Sequence, residues 1–230
     1  MTIKACMFDF SGTLFRVESC ERWLRAVLAD EGIAATDAEV TSYAQLLNDA
    51  GALPGGAWPR TIPPHLERLC AARDLGAAQH RAAYTGLSRT AALPWDIHDA
   101  LYDRHMTPDA WRPYPDTAPV LAELRGRGVP VAVVSNIGWD LRPVFRAHGL
   151  AELVDAFVLS YEVGAQKPDP RIFRTACDLL GVPPERTLMV GDDRRADAGA
   201  AALGCSVHLV DHLPVADRPD ALRGVLGLLA

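Results

Sequence analysis

The chain has no block of lysine or arginine, and a formal charge of -6 over 230 residues excludes an extended basic footprint for nucleic acid. That balance does not limit the potential inside a pocket. No apolar stretch approaches the roughly 18 residues of a transmembrane helix, and the N-terminus lacks a basic segment followed by an apolar region and a processing site. These absences lead to the expectation of a cytoplasmic protein without a membrane partner. The cysteines (Cys6, Cys20, Cys70, Cys177 and Cys205) are an odd, scattered set without paired metal-ligand spacing. They read as buried thiols in a reducing compartment. Neither a Gly-x-Gly-x-x-Gly fingerprint nor a Gly-x-x-x-x-Gly-Lys-Ser/Thr loop is present, so neither a dinucleotide cofactor nor a P-loop nucleotide is indicated.

What is present is a 49% apolar chain with alternating strand and helix signals. It is long enough for one large α/β domain, or a core with an insertion. Residues 3–10 suit a first strand, and further strands are expected at Val129–Val134, Ala156–Leu159, Thr187–Val190 and Ser206–Leu209. Helices are expected from Asp140 to His148, from Asp169 to Leu180 with Pro170 in the first turn, through Ala198, Ala201 and Leu203, and through Leu222, Val225, Leu226 and Leu229. The pattern favours a mostly parallel, Rossmann-like core. Between the first two strands the chain becomes helical. Trp23, Leu24, Val27 and Leu28 share one face, and Asp37 is placed to cap a second helix carrying Val40, Tyr43, Ala44 and Leu47. Pro54-Gly55-Gly56 and Pro59 break regular structure, and further helices are expected through Leu66–Cys70, 77–87 and 95–105. Residues 15–112 are therefore too many and too patterned for a structureless loop.

The chemistry-bearing residues cluster at strand ends. An apolar run delivers Asp9 into Phe10-Ser11-Gly12-Thr13, where Gly12 permits a tight departure. Ser135-Asn136 follows the second core strand, Lys167-Pro168-Asp169-Pro170 precedes a helix, and Gly191-Asp192-Asp193 leads to Asp197. Open α/β sheets hold their ligands at the carboxyl ends of strands. Each motif alone has an ordinary reading: a capping aspartate, a Ser-Asn turn, a solvent-facing lysine, an acidic turn.

Taken together and in this order, the four motifs resemble the haloacid dehalogenase-like hydrolase superfamily, most of whose members are phosphatases. The resemblance implies that Asp9 is the nucleophile, Ser135 a phosphate donor, Lys167 the charge-stabilising lysine and Asp192 a magnesium (Mg2+) ligand. Asp9 would also touch the metal, the Ser11 carbonyl would complete its protein ligands, and Asp193 and Asp197 would stand behind them. Asn136 would orient nucleophile or substrate, and Thr13 would hydrogen-bond near Asp9 or the phosphate. The stretch 15–112 matches a helical cap inserted after the first motif, leaving 1–14 and 113–230 as the core.

One residue departs from the phosphatase pattern. Ser11 stands where the second aspartate, the acid/base, is usual, and a hydroxyl is a poor proton shuttle near neutral pH. One of His65, His80, His98 and His105 can replace it, although the sequence does not identify which. Arg16, at the cap entrance, is a candidate substrate contact or a partner for Glu18. Trp139 either lines the pocket or packs in the core. The expected function is Mg2+-dependent hydrolysis of a small phosphorylated metabolite through a phosphoaspartate. Phosphotransfer to another acceptor and a non-catalytic phosphate- or partner-binding role stand as alternatives.

Overall fold

The computed structural model describes residues 2–229. Its centre is a five-stranded, all-parallel sheet in the order β5-β4-β1-β6-β7. The strands are β1 (Ala5–Phe8), β4 (Val131–Ser135), β5 (Ala156–Leu159), β6 (Thr187–Gly191) and β7 (Ser206–Leu209). Every residue of β1, β4 and β6 is buried, as expected of parallel strands covered on both faces. The chain moves outward from β1 through β4 to β5, then returns to β1's other side for β6 and β7. The order therefore reverses at β1, and that switch point opens a crevice beyond its carboxyl end.

The excursion between β1 and β4 begins at β2 (Phe15–Val17) and returns through β3 (Trp111–Pro113), which pair antiparallel. Between them lie α1 (Cys20–Asp30), α2 (Asp37–Asp49), α3 (Glu67–Ala71), α4 (Ala77–Thr90) and α5 (His98–His105), which form the inserted helical cap. The apolar face expected on α1 is buried, and Ser19 caps its start by accepting from Arg22 N at 3.3 Å. Thr36, rather than Asp37, caps α2. Its hydroxyl and Glu39 form a reciprocal capping box, leaving Asp37 as the first helical residue. Phe10, Phe15, Trp111, Trp139 and Phe145 pack as one aromatic cluster with neighbouring centroids 4.5–6.4 Å apart, which ties the β2–β3 stem to the core.

The remaining helices are α6 (Thr117–Gly126), α7 (Arg142–Ala147), α8 (Ser160–Val163), α9 (Pro170–Leu180) and α10 (Arg223–Leu226). α9 follows its sequence signals closely, with Asp169 as N-cap, Pro170 in the first turn and Gly181 left-handed at the end. Four expected elements differ. The first strand is Ala5–Phe8 rather than 3–10, because the chain turns at Asp9–Phe10 to enter the catalytic loop. Asp140 precedes α7 instead of starting it, its carboxylate accepting from Arg142 N at 3.0 Å. Asp197–Leu203 is 3-10 helical, and the last helix is a single turn flanked by Gly227. Among the described residues no helix is long and apolar enough to cross a membrane.

Candidate active site

Asp9 directly follows β1, its backbone N–H bonded to Val190 O at 2.9 Å, so its carboxylate stands at the switch point. Lys167 reaches it from the loop before α9. The ammonium lies 2.6 Å from Asp9 Oδ1 and 2.6 Å from Asp197 Oδ1, and is only 4% exposed. Asp197 is fully buried, and its second oxygen accepts from Asp193 N at 2.9 Å. Both of its oxygens therefore hold the loop and the lysine. A Cβ at Gly191 would overlap the Asp197 carboxylate, so only glycine lets Asp197 approach the end of β6.

Asp192 stands beside this pair. Oxygens of Asp9, Asp192 and Asp197 lie within 4.8 Å of one another. Asp192 Oδ1 accepts from Thr13 Oγ1 at 3.2 Å, and Oδ2 lies 2.5 Å from His212 Nδ1. Thr13 thus bonds to Asp192 rather than to Asp9. Asp193 is exposed and turned into its own loop, accepting from Arg195 N and Ala196 N at 2.7 and 2.8 Å.

The electrostatics follow from burial and sign. Burial works against a charged lysine, but Asp197 and Asp9 more than offset it and hold Lys167 above the usual lysine range. Burial pushes the Asp9 carboxyl well above its ordinary value, and repulsion from Asp197 and Asp192 adds to this against the pull of Lys167. Burial also acts to raise Asp192, but hydrogen bonding and charge from His212, with help from Lys167, bring it below the usual range. Three carboxylates share one nearby ammonium, and Asp9 is held toward its neutral form. Hard oxygen donors carrying excess negative charge are the environment a divalent cation requires, so the donor set fits a metal ion.

Ser135 closes β4 with its side chain buried and facing the same cavity, about 550 Å³ in volume. Asn136, expected to orient nucleophile or substrate, spends its amide differently. Its Oδ1 accepts from Lys167 N at 2.6 Å and its Nδ2 donates to Lys167 O at 2.9 Å. It therefore aims the lysine by clamping its backbone. Ser11 Oγ lies 3.4 Å from Gly55 O, and Arg16 Nη1 donates to the same carbonyl at 3.3 Å. Arg16 also touches His212. The Arg16–Glu18 pairing is not formed; Glu18 binds Arg104 at 2.9 Å and Arg22 at 3.1 Å. Trp139 packs in the aromatic cluster and does not line the cavity.

Of the four histidines proposed to replace the acid/base, only His80 lines the cavity. Burial pushes its pKa down to about 2, so it is neutral and a weak base. Several site residues were not singled out from sequence. His212, in the loop after β7, had one usable signal: it lies just past a strand's carboxyl end. Arg218 buries its guanidinium beneath the catalytic loop, donating to Gly12 O at 2.5 Å and also to Thr13 O. Asp74, Arg73, Tyr84 and Trp58 reach the cavity from the cap.

The family model of haloacid dehalogenase-like hydrolases matches residues 3–204. A phosphoserine phosphatase of Thermus thermophilus is 33% identical over 71% of this chain and 66% of its own length. (S)-2-haloacid dehalogenase 4A of Burkholderia cepacia is 31% identical over 88% of this chain and 80% of its own. Six further curated relatives are matched over just under half their own length. The structure of L-2-haloacid dehalogenase from Xanthobacter autotrophicus superposes with a TM-score of 0.64 at 26% identity, covering 99% of this chain and 84% of that one. With the strand-end aspartate, its buried lysine and the carboxylate cluster in place, the chain belongs to the haloacid dehalogenase-like hydrolases.

Proposed function

We propose that the protein is a magnesium-dependent phosphomonoester hydrolase acting on a small phosphorylated metabolite through a phosphoaspartate at Asp9. The observation that carries this reading is the position of Asp192 within the cluster of Asp9 and Asp197. A second and third carboxylate beside a carboxylate nucleophile raise its pKa and repel an anionic substrate. They become useful when a divalent cation joins them, and a phosphate dianion is the substrate that most needs such a cation. Asp9, Asp192 and the Ser11 carbonyl would hold the ion. When bound, it would neutralise charge on the transferred phosphoryl group.

This chain's own residues supply the rest. Asp9 attacks phosphorus in line with the departing alkoxide. Lys167, clamped by Asn136 and Asp197, places fixed positive charge at the developing anion, and Ser135 donates its hydroxyl to a phosphate oxygen. Residues 15–112 act as the cap, which excludes bulk water from the crevice. Arg16 does not line this cavity: its guanidinium donates to Gly55 O, and it lines a neighbouring pocket with Glu18, Ser19 and Cys20.

Dehalogenation of a 2-haloalkanoic acid is the second reading, favoured by the match over 80% of the Burkholderia enzyme's length. The two readings separate in one assay. The protein is incubated with a panel of phosphate monoesters and with 2-haloalkanoic acids, each with Mg2+ and with chelator. Inorganic phosphate, free halide and acid-trapped phosphoenzyme are scored. Magnesium-dependent phosphate release is expected. Halide release indifferent to chelator would replace phosphate chemistry with carbon–halogen chemistry, and trapped phosphoenzyme without free phosphate would indicate transfer to another acceptor.

A further inference from the structure

A phosphomonoesterase must protonate its leaving alkoxide, and Ser11 is unsuited to that task. The groups lining the crevice narrow the alternatives. His80 is neutral, and its Nδ1 lies 2.7 Å from the Tyr102 hydroxyl. Burial pushes the Tyr84 phenol up to about 12, out of range for exchange near neutrality. His212 is engaged with Asp192 and Arg16. Asp74 is different. It sits in the single 3-10 turn Arg73–Leu75 between α3 and α4, its side chain 7% exposed. Among the described residues no hydrogen bond to its carboxylate is formed. Its nearest basic groups are the Arg73 guanidinium, with Nε 3.4 Å from Oδ2, and the neutral His80 ring, with Nε2 3.8 Å from Oδ1.

The turn is fastened to the core. Ser160 Oγ lies 2.5 Å from Asp74 O while accepting from Ile137 N at 2.9 Å, so one side chain joins the cap turn to the loop after β4. Next to it, a Cβ at Gly138 would overlap His80, so α4 sits directly on that loop. Asp74 therefore lines the same cavity as Asp9, Ser135 and Lys167, close enough for the Lys167 charge to act on its carboxyl.

We propose that Asp74, delivered by the cap, is the general acid and base of this reaction, in the role Ser11 cannot fill. The assignment rests on the phosphomonoester reading. In the first step an Asp9 oxygen forms a bond to phosphorus while the ester P–O bond breaks, and the Asp74 carboxylic acid gives its proton to the departing oxygen. In the second, the Asp74 carboxylate takes a proton from water as that water's oxygen attacks phosphorus. The Asp9–phosphorus bond then breaks, releasing phosphate and restoring both side chains. Burial raises the Asp74 carboxyl, with Arg73 and Lys167 pulling it back, so its proton is available above the usual carboxylate range. The charged and titratable groups around it are Arg73 on its own turn, His80 and Tyr84 from α4, Tyr102 from α5, and Lys167 before α9.

The test compares Asp74→Asn with the wild type on p-nitrophenyl phosphate, whose leaving group needs no proton, and on an unactivated alkyl phosphate. The variant should lose on the order of 10²–10⁴-fold in kcat/KM for the alkyl ester and less than about tenfold for the nitrophenyl ester. Equal losses on both, or no loss on either, would overturn the assignment. The wild type alone provides a second test that does not depend on the variant folding. Its kcat/KM across a leaving-group series should be nearly flat, and a steep dependence on leaving-group pKa would overturn it. Absence of phosphate release from every ester by the wild type would instead remove the phosphomonoester reading and the assignment with it.

Discussion

His80 and His105 make the protein's stability sensitive to mild acid. Both are buried in the cap, their rings stacked with centroids 5.7 Å apart. Burial pushes their pKa values down to about 2 and about 3 respectively. In the unfolded chain an imidazole titrates near 6.5. Below that pH the unfolded state binds two protons that the folded state refuses, so stability falls as pH falls through about 6.5. Because both folded values lie far below the window, the size of the effect depends only on the unfolded value. From pH 7.5 to 5.5 each ring contributes about 1.4 kcal/mol, and the pair about 2.7 kcal/mol. That is a sizeable part of the roughly 5–15 kcal/mol typical of a domain. Asp9 and Asp74, whose carboxyls are raised, act with the opposite sign, so the informative quantity is a difference. Urea unfolding followed by circular dichroism at pH 7.5, 6.5 and 5.5 should show that His80→Gln lowers the loss of stability between pH 7.5 and 5.5 by about 1.4 kcal/mol relative to the wild type, and that adding His105→Gln lowers it by about as much again. Parallel slopes in all three proteins would refute the reasoning.

On the proposed phosphomonoester reading, Lys167→Met should lower kcat by on the order of 10²–10³-fold, read in steady-state assays, because it removes the fixed charge beside Asp9. It should also cost stability by leaving Asp197 buried without its cation, read as a lower urea midpoint. Asp192→Asn should weaken magnesium binding by on the order of 10–100-fold in calorimetric titration while retaining the fold. Gly12→Ala should impair both stability and metal affinity. Gly12 has φ +87°, and an added methyl would overlap His212 and come within 2.5 Å of Asp192 Oδ2. Ser11→Asp should not raise turnover, since a carboxylate there would face the Gly55 carbonyl that the serine hydroxyl now meets at 3.4 Å. An increase in kcat for that variant would show that the Pro54–Gly56 loop yields.

Much of the site was legible because its parts are strand ends. An apolar run must stop where the sheet stops, so Asp9, Ser135 and Asp192 announce themselves as polar residues at the carboxyl ends of buried strands. Lys167 is legible by its place between two prolines before a helix. The start of α2 is ambiguous in sequence because two adjacent short polar side chains, Thr36 and Asp37, can each cap it. Asn136 was assigned to nucleophile or substrate because its sequence neighbour is Ser135. Its actual partner, Lys167, is 31 residues away and was brought to it by folding.

The sequence by itself determined the parallel core, the inserted helices and the placing of Asp9 at the end of the first strand, because local patterning and chain order carry those features. Only the tertiary structure decided which cap residues face the nucleophile. His80 and Asp74 lie six residues apart in the sequence, yet burial pushes the imidazole's pKa down and the carboxyl's up. Desolvation is a property of everything packed around a group, and no stretch of neighbouring residues encodes it.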